Sequence, residues 1–307
     1  MRGAFAAELT KIARENLEVV LLSGDIGNTL FDGLKKIDAR RFYNCGVAEA
    51  NMMGVAAGMA LSGLRPVVYT ITPFTTTRCF EQIRVDVCCH NAPVVIVGTG
   101  SGFSYAELGP THHSLEDMAI LRTLPGMRVL APCDSTELRL ALRAALKEDG
   151  PVYIRIGKKG EPAIHAVPPD FRIGKGIVIR PGTDVGLIAA GTIMAEVVKA
   201  AELLGAQGAS AEVVSFHSVK PLDRAYLEEA CGRLRLLATV EEHGRIGGLG
   251  GAVAEWRAAR RDAPPQIMFG SADEFMHEVG TQRYAREKYG LTASNIAETV
   301  LAALKAS

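Results

Sequence analysis

Glu49 is the residue whose type and surroundings point most directly to chemistry. It stands at the start of a helix-like run within NCGVAEANMMGVAAGMA (44–60), dominated by Ala, Gly, Met and Val. A carboxyl in such company is poorly solvated, and desolvation disfavours its charged form and raises its pKa. A carboxylic acid needs that property to share a proton with a basic ring nitrogen. The plainer reading places Glu49 in the first turn of a helix, where the helix dipole favours a negative charge. Both readings stay open on this segment alone. The small residues that follow (Gly54, Ala56, Ala57, Gly58, Ala60) permit close helix packing, in a core or at a subunit interface.

Two glycine-rich turns are candidates for holding an anion. Gly24-Asp25-Ile26-Gly27-Asn28 and Gly98-Thr99-Gly100-Ser101-Gly102 both follow apolar, strand-like runs. Glycine there lets backbone amides approach a phosphate or start a helix. Neither segment completes GxGxxG, and neither carries the Lys-Ser/Thr pair of a Walker A loop. On the spacing alone, tight turns at strand ends are the favoured account of them.

The elements that must position these residues follow from hydrophobic patterning. Short apolar runs recur at 18–25, 65–72, 92–100, 127–134 and 150–157, with helix-like segments at 48–61, 78–89, 115–121 and 135–146. Strands too apolar to have a solvated face, alternating with helices, predict a parallel sheet covered on both sides. From 158 to 176 the pattern lapses into KKGEPAIHAVPPDFRIGKG, rich in Gly, Pro and mixed charge, which reads as a linker. Strand-like runs at 184–191, 210–218 and 235–243 then alternate with helix-like segments at 194–204, 251–260 and 293–306. The expected fold is α/β with two doubly wound domains, residues 1–165 and 177–307, joined by a linker at 166–176.

Length and composition agree with two units. The chain has 307 residues, 48% of them hydrophobic, and 32 glycines. That is more than one compact domain usually holds. Thirty-four Lys and Arg balance 34 Asp and Glu, so no net field draws nucleic acid or an anionic membrane, and the expected partners are small molecules or proteins. Six cysteines make no CxxC pair and no disulfide framework, and the vicinal pair Cys88-Cys89 falls in an apolar, strand-like approach. A reducing cytoplasm is the simplest setting. Glu8, Lys11, Arg14 and Glu15 interrupt any signal-peptide core. No apolar run reaches the roughly 20 residues that span a bilayer. The expectation is a soluble protein.

The order of several segments resembles the transketolase family. GVAEANMMGVAAGMA (46–60) resembles the helix bearing that family's essential glutamate, and TPFTTTRCFEQIR (72–84) its aromatic strand-to-helix segment. ELGPTHHSLEDMAILRTLPGMRVLAPCD (107–134) resembles its GPTHQ segment, and VEEHGRIGGLGGAV (240–253) is similar to its C-terminal part. The resemblance covers essentially the whole chain. It implies a thiamine diphosphate pyrimidine-binding domain followed by a transketolase C-terminal domain.

What it implies for single residues can be set against their chemistry. Glu49 matches the glutamate that hydrogen-bonds N1′ of the cofactor's aminopyrimidine and so promotes removal of the thiazolium C2 proton. Phe74 matches the aromatic that stacks on the aminopyrimidine, Phe80 more loosely a pocket-lining aromatic, and Asp25 a loop acid near the cofactor. His112 matches the GPTH histidine that touches substrate, placed to donate to an oxygen that gains negative charge. His113, which stands where the family usually has glutamine, is taken with His112 as a candidate substrate contact. Lys158, with Arg155 nearby, corresponds to an arginine that grips phosphate.

Departures bear on substrate. Leu108 replaces an aspartate that reads a substrate hydroxyl, and Gly100 corresponds to a histidine that helps hold a sugar phosphate. These losses of polar contact argue against ordinary pentose phosphates.

The family also needs a domain that binds the diphosphate through Mg²⁺, marked by Gly-Asp-Gly and a following Asn-containing segment. Gly24–Asn28 does not fit that motif. The resemblance therefore implies a split enzyme, with Mg²⁺ and its ligands on an N-terminal transketolase subunit and an α2β2 assembly. The expected reaction is transfer of a two-carbon ketol unit from a ketose-like donor to an aldehyde acceptor. Two rival readings are the beta subunit of a 2-oxoacid dehydrogenase and a non-catalytic assembly paralogue. GPTHH followed by LEDMAILRTLPGM separates the chain from the first, although Thr77 stands where the matching helix start has glycine. Joint retention of Glu49, Phe74 and His112, which a fold does not need, separates it from the second.

Overall fold

Apolar runs buried on both faces give the chain two mostly parallel sheets. The structure is a computed structural model that describes residues 1–27 and 29–306. The strands of the first half are β1 (Val19–Ser23), β2 (Phe42–Asn44), β3 (Arg65–Ile71), β4 (Val95–Thr99), β5 (Arg128–Leu130) and β6 (Val152–Ile156). In the second half they are β7 (Ile177–Arg180), β8 (Val185–Ala190), β9 (Ala211–Ser215), β10 (Ser218–Lys220), β11 (Leu236–Gly244) and β12 (Gln266–Ser271). Every residue of β1, β4, β6, β8 and β9 is buried, as expected of strands covered by helices on both sides.

The first sheet has the order β10-β5-β6-β4-β3-β1-β2, and the second β12-β11-β8-β9-β7. All pairings are parallel except β10 with β5 and β7 with β9. From β1 the chain steps outward to β2 and then returns past β1 to β3, so the direction of winding reverses between β1 and β3. In open α/β sheets such a reversal leaves a crevice at the carboxyl ends of the strands.

Two sequence expectations are corrected. The run at 210–218 is not one strand: it breaks at Phe216-His217, and β10 crosses to the first sheet, where Ser218 and Lys220 pair with Leu130 and Val129. The second half of the chain thereby completes the edge of the first sheet. Cys88-Cys89 lies not in a strand but in a π-helical turn, Ile83–Cys89, at the end of the segment expected as one helix from 78. That segment opens with a 3₁₀ turn, Thr77–Cys79, and a short α turn, Phe80–Gln82. The wide turn keeps Ile83 and Val87 in the core while leaving Cys89 exposed. π-turns inside helices are frequent at functional sites.

Buried polar groups join the halves. Glu241 on β11 accepts from the amides of Leu249 and Gly250 at 2.7 Å each, so its carboxylate sits at the start of the helix Leu249–Ala258. Glu242 accepts from the Phe103 amide (2.7 Å), Gln282 (2.8 Å) and Arg286 (2.6 Å). Gly102 makes room for it, because a Cβ there would lie 2.6 Å from the Glu242 side chain. All six cysteines are free. No helix among the described residues is long and apolar enough to cross a membrane.

Candidate active site at the carboxyl edge of the first sheet

Parallel strands end on one side of their sheet, and the expected site residues follow those ends. Asp25 comes after β1, Glu49 after β2, Phe74 and Phe80 after β3, His112 and His113 in the loop after β4, and Lys158 after β6. Residues far apart in the chain are gathered at one edge by topology alone.

Glu49 opens the helix Glu49–Leu61 and is 2% exposed. Arg78 Nη1 donates to its Oε2 at 3.0 Å, and the arginine is itself half exposed. Phe74 lies in the single turn Thr72–Thr75, whose hydroxyls are turned inward: Thr72 Oγ1 donates to Thr99 O, and Thr75 and Thr76 donate back to Thr72 O. These bonds fix the turn while leaving the Phe74 ring half-buried at the edge. The Arg78 guanidinium carbon lies 4.2 Å from the centroid of that ring, over its face, and His112 approaches at 5.3 Å with its plane tilted 72°. Glu49, Phe74, Arg78 and His112 thus form one connected group.

His112 is half-buried, with Nδ1 2.9 Å from Thr111 Oγ1. Burial lowers its pKa, which favours the neutral ring. His113 points the other way. It is 5% exposed, packs edge-on to Phe103 at 5.4 Å, and its Nε2 has no hydrogen-bond partner. Burial lowers its pKa too, opposed by a contact with the Ala106 backbone. Asp25 is exposed, adopts φ +51°, and accepts from Asn44 Nδ2 at 3.0 Å. Asn28, the end of that turn, lies outside the described residues. Phe80 is half-buried and packs against the core beneath the Glu49 helix.

Arg155 is corrected. It is not open to solvent: its side chain is 1% exposed, and its donors go to Asp117 Oδ2 (2.8 Å), Ser114 O (2.5 Å) and Glu242 O (2.8 Å). Burial is the largest influence and works against its charge, but Asp117, Tyr153 and Glu242 together reverse it and its pKa is raised. Lys158, one residue past Gly157, is a cation at the edge. Its ammonium pairs with Glu107 and lies 4.4 Å from the Tyr105 ring centroid, and that ring lies 6.2 Å from His112.

Tyr105 and Arg78 carry weight that residue type and spacing do not reveal. Gly100 has φ +86°, and a Cβ there would lie 2.1 Å from the Tyr105 ring, so the tyrosine fills the space a side chain at 100 would use. Away from this edge, Cys133, Glu137 and His165 bring possible metal-ligand atoms within 4.8 Å of one another. Glu137 is already satisfied there by the Cys133 amide (2.8 Å), Ser215 Oγ (3.1 Å) and His165 Nε2 (2.8 Å). A cleft of about 660 Å³ between Leu115, Arg245, Met268 and Phe275 also lies apart from the Glu49 group.

Comparison with known proteins gives concordant matches. Residues 1–161 match the family model "Transketolase, pyrimidine binding domain" and residues 174–296 "Transketolase, C-terminal domain". The chain is 36% identical over 299 residues to a 6-deoxy-6-sulfo-D-fructose transketolase subunit of Clostridium sp. (strain MSTE9), covering 96% of this chain and 92% of that one. It is 34% identical over 307 residues to one of the subunits of the apulose-4-phosphate transketolase of Phocaeicola vulgatus, covering 99% of this chain and 97% of that one. Among solved structures, a split-gene transketolase described as an inactive beta4 tetramer superposes with a TM-score of 0.89 at 36% identity, over 99% of this chain and 97% of that one.

Proposed function

The chain belongs to the transketolase family, and we propose that it is the pyrimidine-side subunit of a split thiamine diphosphate-dependent transketolase, moving a two-carbon ketol unit from a ketose-like donor to an aldehyde acceptor. The observation that carries the site assignment is the group of Glu49, Phe74 and His112 at the winding reversal of the first sheet. A buried carboxylate with a half-exposed aromatic face beside it suits an aminopyrimidine, which needs one hydrogen-bonding acid and one flat apolar surface. Arg78, a planar donor that meets the same carboxylate at 3.0 Å and the same ring at 4.2 Å, supports this reading of the site's shape.

In this reading Glu49 would hydrogen-bond the aminopyrimidine ring nitrogen and Phe74 would support its plane. When bound, thiamine diphosphate would supply the carbon nucleophile for the carbonyl of a ketose. His112, held neutral by partial burial, donates a hydrogen bond to the carbonyl oxygen as charge builds there. Lys158 is the cation for an anionic substrate group, with Tyr105 beneath it. His113, buried away from the edge, supports the loop, and Phe80 supports the Glu49 helix. Asp25 flanks the crevice beside β1.

Further parts of the reading rest on the same basis. Residues 1–165 form the pyrimidine-binding domain, 166–176 the linker and 177–307 the C-terminal domain. The partner is an N-terminal subunit that carries the diphosphate-binding domain and the Mg²⁺ ligands, in an α2β2 assembly. Free cysteines and the absence of a membrane-crossing helix among the described residues suit a cytoplasmic enzyme. The relatives of similar length that are named as subunits support the split.

The test is Glu49→Gln in the complex with the partner subunit, Mg²⁺ and thiamine diphosphate. Native mass spectrometry is expected to show the same assembly. Exchange of the bound cofactor's C2 proton for deuterium is expected to slow by about 10²–10⁴-fold, the usual range for a positioned acid. Unchanged exchange in the assembled variant would overturn the assignment of Glu49.

A further inference from the structure

We infer that Arg78 is a built-in stand-in for the cofactor: its guanidinium occupies the aminopyrimidine position in the free subunit and must leave before thiamine diphosphate can engage Glu49. This rests on the site reading given above. Two contacts define an aminopyrimidine position, a hydrogen bond to the glutamate and a face against the aromatic. Arg78 makes both at once, donating to Glu49 Oε2 at 3.0 Å and lying 4.2 Å from the Phe74 centroid. A guanidinium and an aminopyrimidine share the relevant chemistry, since each is a flat, delocalised group with N–H donors in its plane. They cannot lie against the same face of the Phe74 ring together.

The arrangement also answers a problem of the split architecture. Glu49 is 2% exposed, and a buried carboxylate without a partner is unfavourable. Until the cofactor arrives, Arg78 is its hydrogen-bond partner. The guanidinium is readily resolvated when it leaves, because its side chain is 45% exposed, and the cofactor then takes over as partner of the carboxylate. It sits in the 3₁₀ turn Thr77–Cys79, between the Phe74 turn and the π-helical segment, so a change at this short irregular joint would carry it outward without moving a strand.

The size of the effect follows from the strength of the contacts. Leaving gives up one ion pair and one cation–π contact, both made by a half-exposed guanidinium. A closed form favoured by about 1 kcal/mol weakens apparent cofactor affinity about five-fold, because only the open fraction binds.

The experiment is thiamine diphosphate binding by calorimetry to the complex of this chain with its partner subunit and Mg²⁺, for the wild type, Arg78→Ala and Arg78→Lys. Arg78→Ala is expected to bind about five-fold tighter while the thermal midpoint of the free subunit falls. Arg78→Lys, which keeps the ion pair but loses the flat face, is expected to lie between. Equal or weaker binding by Arg78→Ala overturns the stand-in, weaker binding assigning Arg78 to holding the cofactor. Failure of the wild-type complex to bind thiamine diphosphate at all overturns the site reading itself, a separate result. Circular dichroism of each variant confirms that altered affinity does not come from unfolding.

Discussion

At the scale of single residues, a side chain's neighbours decide whether it faces chemistry or structure. His112 and His113 are adjacent and both have pKa values lowered by burial, yet only His112 meets the Phe74 ring at the edge. His113 is a buried imidazole whose Nε2 lacks a partner, so protonating it in place is unfavourable. The sign follows from the direction of its shift. A folded pKa below the unfolded value of about 6.5 contributes stability that is present above that pH and lost as pH falls through the folded value. Histidine at 113 should therefore steepen the acid-side loss of stability by up to about 1.4 kcal/mol per pH unit. Thermal midpoints of wild type and His113→Gln, measured over a pH series from neutral into the acid range, are expected to diverge below about pH 6.5, the wild type falling faster. Parallel curves would remove His113 from the acid response. Glu49 stands out in the sequence as an acid among Ala, Gly and Met, and the structure buries it in the first turn of its helix. Arg78 does not stand out, because an arginine at the start of a helix-like segment looks like a solvated residue until its neighbours are known.

At the scale of elements, the central strands β1, β4 and β8 are legible because each is a mostly apolar run buried along its whole length, which burial on both faces explains, whereas the partly buried edge strands β2 and β7 carry no such signal. The breaks inside elements are not legible either. Nothing in the period of SAEVVSFHS marks the point where β9 ends and β10 departs for the other sheet, since pairing partners far away in sequence decide it. The π-helical turn is hidden for a similar reason: one extra residue per turn shifts an apolar pattern too little to read. The loop after β4 shows an element-scale constraint that bears on specificity. Gly100 has φ +86°, and Tyr105 lies where its side chain would go. Gly100→Ala is expected to lower stability by about 1–3 kcal/mol through overpacking and backbone strain. Displacing Tyr105 should also disturb its contact with Lys158 and raise KM more than it lowers kcat. Tyr105→Ala in the Gly100→Ala background should recover part of the stability, because the clash is relieved while the strain at φ +86° persists. A double variant no more stable than Gly100→Ala alone would refute the steric account.

At the scale of the whole molecule, the two halves are joined through Arg155, and its expected role as a substrate cation fails for a physical reason. Nearness to Lys158 in sequence suggests the open edge. The strand VYIRI gives the opposite answer: an arginine between Ile154 and Ile156 in a strand buried along its whole length has to be paired internally. Its donors reach Asp117 and Ser114 of the first half and the Glu242 backbone of the second, while Tyr153 donates to the same Asp117 oxygen at 2.6 Å. Glu242 in turn holds the Phe103 amide at the foot of the loop that carries His112. One guanidinium thus ties the setting of the C-terminal domain to the loop at the candidate site. Arg155→Met removes the charge but leaves the Asp117 carboxylate and two carbonyls buried without it, a defect worth about 3–5 kcal/mol. Differential scanning calorimetry should show a lower midpoint, and limited proteolysis faster cleavage within 158–176 as the halves loosen. Lys158→Met, at the open edge, should leave stability within about 0.5 kcal/mol of wild type and change only turnover of anionic substrates. Equal thermal behaviour of the two variants would mean that the halves are held together by their apolar contacts, and that the Arg155 network orients them without contributing net stability.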